Sequence, residues 1–164
     1  MHGGWGVEAL TGVSRPHGDI DLLVPVAERP KATEIFAGNI IKKSKHKIKV
    51  RYKDVKVEVS FFERRPDGSL TIDMPFYMIF VPKGYNDEQI GKLGGVEVAT
   101  ASRFILYGEV MLKGQKTTVT QASNVEDASP VATLLNDEEK QWAKKYFPEN
   151  ITLWKALLHR FGLG

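Results

Sequence analysis

The most informative absence in this 164-residue chain is cysteine, since the sequence contains none. Without thiols there can be no disulfide framework, no cysteine nucleophile and no cysteine-ligated zinc site. Only four histidines are present, so a metal site would depend on carboxylates, which suit hard cations such as Mg²⁺. The acidic residues are therefore the first candidates for metal chemistry.

Long apolar runs and a strong charge imbalance are missing as well. No apolar run approaches the ~20 residues that cross a bilayer, and the chain does not open with a basic segment followed by an apolar one. We therefore expect a cytoplasmic protein with no membrane partner. The 23 lysines and arginines exceed the 20 aspartates and glutamates by only three. So small an excess gives no reason to expect a nucleic-acid partner.

The composition is that of a folded domain, with 42% hydrophobic and 26% charged residues. The pattern changes near residue 95. Before that point short apolar stretches alternate with glycine and proline turns, whereas after it apolar residues recur at helical spacing. We expect an α/β (α+β) fold, with an α/β core over residues 1–95 and a helical region over residues 96–164 packed on it.

The N-terminal elements are bounded by turn residues. The spacing predicts a short helix over Trp5–Leu10, opened by Gly3 and Gly4. A strand is expected over residues 19–24 and a further helix over residues 28–40.

The C-terminal region has helical patterns of its own. Apolar spacing predicts a helix over residues 100–113 and another over residues 151–161. Between them, Asn136 followed three residues later by Glu139 is typical of a capping box for a helix that continues through Tyr146.

Asp19 and Asp21 are separated by one residue on a predicted strand. Because side chains alternate along a strand, both carboxylates project from one face. Two like charges so close are costly unless a cation lies between them, and Mg²⁺ bound by carboxylates and substrate phosphates is a common solution. Two solvated acids at the start of a strand would give the same pattern.

A third acid lies in the strongest β pattern of the sequence. Apolar residues alternate with charged ones over residues 48–61, around a turn at Lys53 and Asp54, which predicts a β-hairpin. The flanking valines belong to the apolar face, so Glu58 points to the opposite one. If the hairpin pairs beside the first strand, Glu58 joins the two aspartates.

Gly3 and Gly4 stand at the start of the first predicted helix. Glycine there gives backbone N–H groups an unobstructed approach to an anion, and the helix dipole helps to bind it. A phosphate-binding turn followed by a metal-binding acid pair indicates a nucleotide site.

The segments Gly3–Leu10 and Arg15–Leu22 together resemble the signature of the polymerase-β-like nucleotidyltransferases. The most similar pattern is that of the small antibiotic nucleotidyltransferases of the aminoglycoside 2″-adenylyltransferase and lincosamide type. In that pattern a glycine turn precedes an Asp-x-Asp strand, and a third acid lies on a later strand. Glu58 matches the third position, where the relatives usually have aspartate. The resemblance implies a mixed β-sheet core flanked by helices.

The activity that the resemblance implies is nucleotidyl transfer. A hydroxyl of a small molecule, such as an aminoglycoside or lincosamide antibiotic, would attack the α-phosphorus of ATP or another NTP, and pyrophosphate would leave. Asp19 and Asp21 would hold two Mg²⁺ ions. Glu58 would either share a metal or accept the hydroxyl proton. Gly3 and Gly4 would bind the β and γ phosphates.

Three basic features near these motifs have two interpretations each. Arg15 would contact phosphate or remain a solvated turn residue. His17 would either act at the site, by orienting the aspartate strand or contacting the nucleotide, or have no role. A cluster of cationic residues would attract a triphosphate or an acidic partner, or form a solvated surface. Its members are Lys42, Lys43, Lys45, His46, Lys47 and Lys49.

The start of the chain leads to a second hypothesis. Relatives of this type carry a helix and a strand before the glycine turn, and the absence of that strand would expose a sheet edge that invites pairing with another chain. We therefore expect a homodimer that completes the sheet. The alternative is a non-catalytic or truncated nucleotidyltransferase-like module that binds protein, as in a toxin–antitoxin pair.

The charge of the acceptor determines the kind of pocket that it needs. An aminoglycoside carries several positive charges and needs an acidic pocket, whereas a lincosamide needs a more apolar one. Four acids of the second half of the chain are candidates to line that pocket and favour the former: Glu97, Glu109, Glu126 and Asp127.

Overall fold

The computed structural model describes residues 1–73, 78–116 and 130–150. Helices and strands alternate in the first part and helices dominate the end. In chain order they are α1 (Gly3–Thr11), β1 (Asp19–Pro25), α2 (Arg29–Ile35), β2 (Ile40–Lys43), β3 (Lys47–Tyr52), β4 (Val55–Arg64), β5 (Leu70–Asp73), β6 (Met78–Val81), β7 (Gln89–Leu93), β8 (Val96–Thr100), α3 (Arg103–Lys116) and α4 (Asp137–Asn150). The expected α+β class is confirmed.

A six-stranded mixed sheet forms the centre of the fold. Strands β2 to β6 are neighbours in sequence order, each antiparallel to the next, and β1 pairs in parallel with β4. The predicted hairpin is β3 and β4, joined at Lys53 and Asp54. Parallel pairing places Asp21 opposite Glu58, and antiparallel pairing places Lys49 opposite the same glutamate.

Apolar residues pack on both faces of this sheet. On one face Val57 and Val59 of β4 pack with apolar residues of β3 and with Ala32 of α2. In this group, which we call the α2 cluster, Ile48 and Val59 are fully buried. On the other face β5 and β6 pack with α1, α3 and α4 in a larger cluster that includes Val7, Leu106 and Ala143. The alternation of the hairpin thus determines which side chains reach each core.

The helix expected over residues 28–40 is shorter in the structure. Helix α2 ends at Ile35, a 3-10 turn covers Ala37–Asn39, and Ile40 begins β2. Ile40 pairs with Val50 and packs against the α2 cluster. Pairing with the hairpin therefore outweighs the helical spacing of this segment.

Strands β7 and β8 form a separate two-stranded hairpin. Its turn uses Gly94 and Gly95, both at positive φ (55° and 84°), which is the conformation that two-residue hairpin turns require. The hairpin packs on α1, where Gly91 lies so close to the Ala9 carbonyl that a Cβ would be 2.6 Å from its oxygen.

The C-terminal helices pack on the core. The capping box is confirmed: the Glu139 backbone N–H donates to Asn136 Oδ1, and the Asn136 N–H donates to Glu139 Oε2, both at 2.9 Å. Tyr146 of α4 donates its hydroxyl to the Phe80 carbonyl of β6. The helix predicted over residues 151–161 lies outside the described residues. Within the described ranges, no helix combines the length and apolar character that a membrane span requires.

Candidate active site

Asp19 and Asp21 lie at the beginning of β1 and share one face of the sheet. Ile20 and Leu22, which alternate with them, pack into the α2 cluster on the opposite face. The alternation that the sequence predicted is therefore present. Asp19 follows Gly18 directly and is exposed, whereas Asp21 is partly buried.

The glycine turn meets this acid pair. Gly3 has φ +64°, and a Cβ on it would collide with the Asp21 carboxylate. The backbone N–H of His2 donates to the Asp21 carbonyl at 2.9 Å, which fixes the start of α1 beside β1. The glycine turn at the start of α1 and the aspartate pair at the start of β1 are thus next to each other, although α1 and a turn separate them in sequence.

Gly4 provides space for the turn that leads into β1. A Cβ there would lie 2.5 Å from Arg15 Nη2 and 2.6 Å from His17 Nδ1. The His17 ring is almost fully buried, and its Nε2 lies 2.7 Å from Glu8 Oε2. The ring also packs against Trp5 at an angle of 37°, with 4.3 Å between ring centroids. These contacts tie the turn to α1, as the orienting interpretation of His17 requires. Burial raises the pKa of Glu8, but the stronger combined effect of hydrogen bonds, His17 first, leaves that pKa lowered.

The N-terminus of α1 already has a carboxylate partner. The Gly3 N–H donates to Glu109 Oε2 at 3.1 Å, and Glu109 Oε1 lies 2.5 Å from Nδ1 of the buried His2. Burial lowers the pKa of His2, but the Glu109 charge and hydrogen bond outweigh burial and leave the pKa raised. A helix N-terminus favours a negative charge, and α3 supplies one here. Glu109, a candidate for the acceptor pocket, therefore holds the glycine turn.

Glu58 lies in the row between β1 and β3, and both its oxygens contact lysines. Lys47 Nζ is 2.5 Å from Oε2, and Lys49 Nζ makes an ion pair with Oε1. Burial raises the pKa of Glu58, but the hydrogen bonds and charges of the two lysines outweigh burial and leave the pKa below its usual value. Two members of the basic cluster are thus bonded to the third candidate acid.

The pairing of Lys49 with Glu58 can be predicted from the length of the hairpin turn. A two-residue turn at Lys53 and Asp54 places Tyr52 opposite Val55, and the same antiparallel register places Lys49 opposite Glu58. Opposite charges directly across a strand pair attract each other. The alternation pattern alone, which assigns faces but not partners, misses this contact.

The fit of a divalent metal depends on the chemistry of the donor oxygens and on the cations already paired with them. Within residues 1–73, 78–116 and 130–150, no group of three histidine or acidic side chains is close enough to form a ready metal site. Asp19 and Asp21 offer hard carboxylate oxygens on one face, which is the donor chemistry that Mg²⁺ takes. Glu58 fits less well, because each of its oxygens has an ammonium partner.

Three other acidic residues are predicted to line the acceptor pocket, namely Glu97, Glu126 and Asp127. Glu97 is exposed on β8. Glu126 and Asp127 lie outside the described residues.

Comparison with known proteins gives one family and one fold. The model of the aminoglycoside-2''-adenylyltransferase family matches residues 1–98. The solution structure of the antibiotic-resistance factor ANT(2'')-Ia is similar to this chain with a TM-score of 0.74 at 19% identity, covering 99% of this chain and 86% of that one. No sequence among the curated proteins matches.

Two crystal structures have the same fold. ANT(2")-Ia in complex with adenylyl-2"-tobramycin gives a TM-score of 0.70 at 16% identity, with 90% of this chain and 85% of that chain covered. The lincosamide antibiotic adenylyltransferase LnuA, bound to lincomycin, gives 0.61 at 18% identity, with 82% and 85% covered. Because the family model covers 98 of the 164 residues, this chain belongs to the aminoglycoside-2''-adenylyltransferase family.

Proposed function

We propose that this protein is a nucleotidyltransferase that transfers AMP from ATP to a hydroxyl group of an aminoglycoside. Family membership supports the reaction class and the acceptor class. One structural neighbour is a complex with adenylyl-2"-tobramycin, and another is a lincosamide adenylyltransferase. A lincosamide is therefore the second acceptor to test.

One observation carries the proposal, namely the contact between Gly3 and Asp21. Only a residue without a side chain leaves room for the Asp21 carboxylate at the start of α1. The arrangement places a helix N-terminus next to two carboxylates on one sheet face. A triphosphate with its metal needs both features, because the anion needs N–H donors and the cation needs oxygen ligands.

Asp19 and Asp21 would hold Mg²⁺. A bound ion would neutralise charge on the triphosphate and stabilise the negative charge that develops on the attacking hydroxyl oxygen. Gly4 and Arg15 would bind the terminal phosphates, and Gly3 would join them when a phosphate replaces Glu109 as the acceptor of its N–H. The turn held by His17 would keep Arg15 in place. In-line attack on the α-phosphorus then forms the new phosphoester bond and expels pyrophosphate. The resemblance implies two ions, with Glu58 as a shared ligand or as the base.

Pyrophosphate release tests this proposal. The protein is incubated with Mg²⁺ and ATP, and then with an aminoglycoside or a lincosamide in parallel reactions. We expect acceptor-dependent release that Asp21→Asn reduces by about 100-fold or more, since loss of metal-assisted charge stabilisation costs several kcal/mol. Asp54→Asn, on the exposed hairpin turn, removes the same charge elsewhere and is the matched control.

The alternative of a non-catalytic, protein-binding module predicts a different outcome. Ligands that bind the folded state raise the melting temperature. If neither ATP nor any other NTP with Mg²⁺ shifts the melting temperature, and no pyrophosphate appears with any acceptor, the enzyme proposal is wrong. A shift that Asp19→Asn abolishes would support the nucleotide site separately from the acceptor.

A further inference from the structure

Lys49, Glu58 and Asp21 form a row across three neighbouring strands. Glu58 of β4 is the register partner of Lys49 on β3 and of Asp21 on β1. Register partners on adjacent strands point to the same face, and neighbouring strands are about 4.8 Å apart. The glutamate therefore lies between a cation and the proposed metal-binding acid.

The Glu58 carboxylate is held from two directions. Lys47 and Lys49 contact different oxygens, and the side chain of Glu58 is only 21% exposed. Its two partners are 25% and 39% exposed, so these ion pairs are partly shielded from water. The negative charges of Asp19 and Asp21 also act on Lys49. Glu58 therefore holds the Lys49 ammonium group on the sheet face that carries Asp19 and Asp21.

We propose that Lys47 and Lys49 withdraw Glu58 from metal ligation, so that this site binds a single divalent cation with its nucleotide, through Asp19 and Asp21. Lys49 supplies the positive charge that a second ion would bring. Glu58 is then a positioning residue that holds Lys49 beside the aspartates. This inference rests on the proposed function, because it concerns how the same nucleotide site is filled.

Charge and ligand chemistry both support this assignment. Three carboxylates alone carry three negative charges, which favour two divalent cations. With two ammonium groups in the cluster the net charge is one negative, and a second divalent cation would face the repulsion of Lys49. An oxygen that accepts an ammonium hydrogen bond also has fewer lone pairs to offer a metal.

Counting bound Mn²⁺ by electron paramagnetic resonance tests the proposal without any turnover. The protein is titrated with Mn²⁺ in the presence of a non-hydrolysable ATP analogue. We expect one Mn²⁺ per chain for the wild type and two for Lys47→Met/Lys49→Met, in which Glu58 is released. The control Lys42→Met/Lys43→Met removes the same charge from β2 and should still bind one.

A triple variant controls for the unpaired charge that the double lysine substitution leaves on Glu58. Removing both lysines leaves a half-buried glutamate without its partners, so folding of each variant is checked by circular dichroism. Lys47→Met/Lys49→Met/Glu58→Gln lacks the unpaired charge and should return to one Mn²⁺ per chain. Two ions on this triple variant would show that charge removal alone, rather than the freed glutamate, admits the second ion, and would overturn the assignment.

Other outcomes separate this inference from the proposed function. Two Mn²⁺ on the wild type, of which Glu58→Gln removes one, would overturn the single-cation site and leave the nucleotidyltransferase proposal intact. One Mn²⁺ on a folded Lys47→Met/Lys49→Met variant would also overturn it, because the freed glutamate would then be no ligand. No binding of the analogue or of Mn²⁺ by any variant would refute both proposals.

Discussion

At the scale of single residues, the site depends on how closely α1 approaches β1. Gly3 has a left-handed backbone conformation and no free space around it, whereas Gly12, at the other end of α1, has φ +72° and open space where a Cβ would lie, with no atom within 4 Å. The two glycines have the same backbone requirement and differ in their surroundings. They therefore allow steric contact with Asp21 to be separated from backbone strain.

Gly3→Ala should impair nucleotide use far more than Gly12→Ala. Both replacements add the cost of a left-handed alanine, about 1 kcal/mol in the free energy of unfolding. Only Gly3→Ala also displaces the Asp21 carboxylate, so we expect kcat/KM for ATP to fall by about 100-fold. Steady-state pyrophosphate release and urea unfolding measure the two effects. Equal kinetic losses in both variants would contradict this interpretation.

At the scale of helices and strands, local signals predict the boundaries well where a chemical marker is present. The turn at Lys53 and Asp54, and the capping box at Asn136, are predicted from sequence and are present in the structure. The predicted end of α2 is wrong, because pairing of Ile40 with Val50 depends on residues of another element. The contact of His2 with Glu109 could not be predicted, since 107 residues separate the two.

The capping box of α4 predicts a pH-dependent contribution to stability. The Asn136 backbone N–H, and then the Arg103 side chain, donate to Glu139 and hold its pKa below the ordinary value of 4.5. A lowered carboxyl pKa stabilises the folded state fully above the unfolded pKa and ceases to do so as the pH falls through the folded one. Glu139→Gln keeps a capping oxygen but removes the charge and the ion pair with Arg103, so it should cost about 0.5–1 kcal/mol at pH 7 and progressively less below pH 4.5.

Urea unfolding at a series of pH values measures this difference between Glu139→Gln and wild type. Glu138→Gln, an exposed neighbour in the same turn, removes an equal charge without touching the cap. If the difference in unfolding free energy between wild type and Glu139→Gln grows as the pH falls, the charge of Glu139 does not stabilise the folded state.

At the scale of the whole molecule, the site depends on both halves of the chain. Met1 and His2 bond to β8 and β1, and Glu109 of α3 holds the first turn of α1. The edge of β1 that does not pair with β4 thus has a bridge to His2. The homodimer expected from an open sheet edge stays a prediction, which a molecular mass from light scattering would test. The division at residue 95 is likewise a proposal, and the larger apolar cluster joins residues from both sides of it.

Leu106 and Ile48 provide the test of this dependence on α3. Each is at most 1% exposed, Leu106 in the cluster of α1 and α3 and Ile48 in the cluster on the opposite sheet face. Replacing either residue by alanine should cost about 2–5 kcal/mol in the free energy of unfolding.

Leu106 also contacts α1 at Gly6, where a Cβ would be 2.9 Å from Leu106 Cδ2. Loss of the Leu106 side chain therefore lets α1 move and should raise KM for ATP several-fold. Ile48→Ala, measured under conditions in which both variants are folded, should leave KM within about twofold of wild type, since α2 and not α1 covers that face. If the two variants raise KM equally, the glycine turn is positioned by overall stability and not by the packing of α1 on α3.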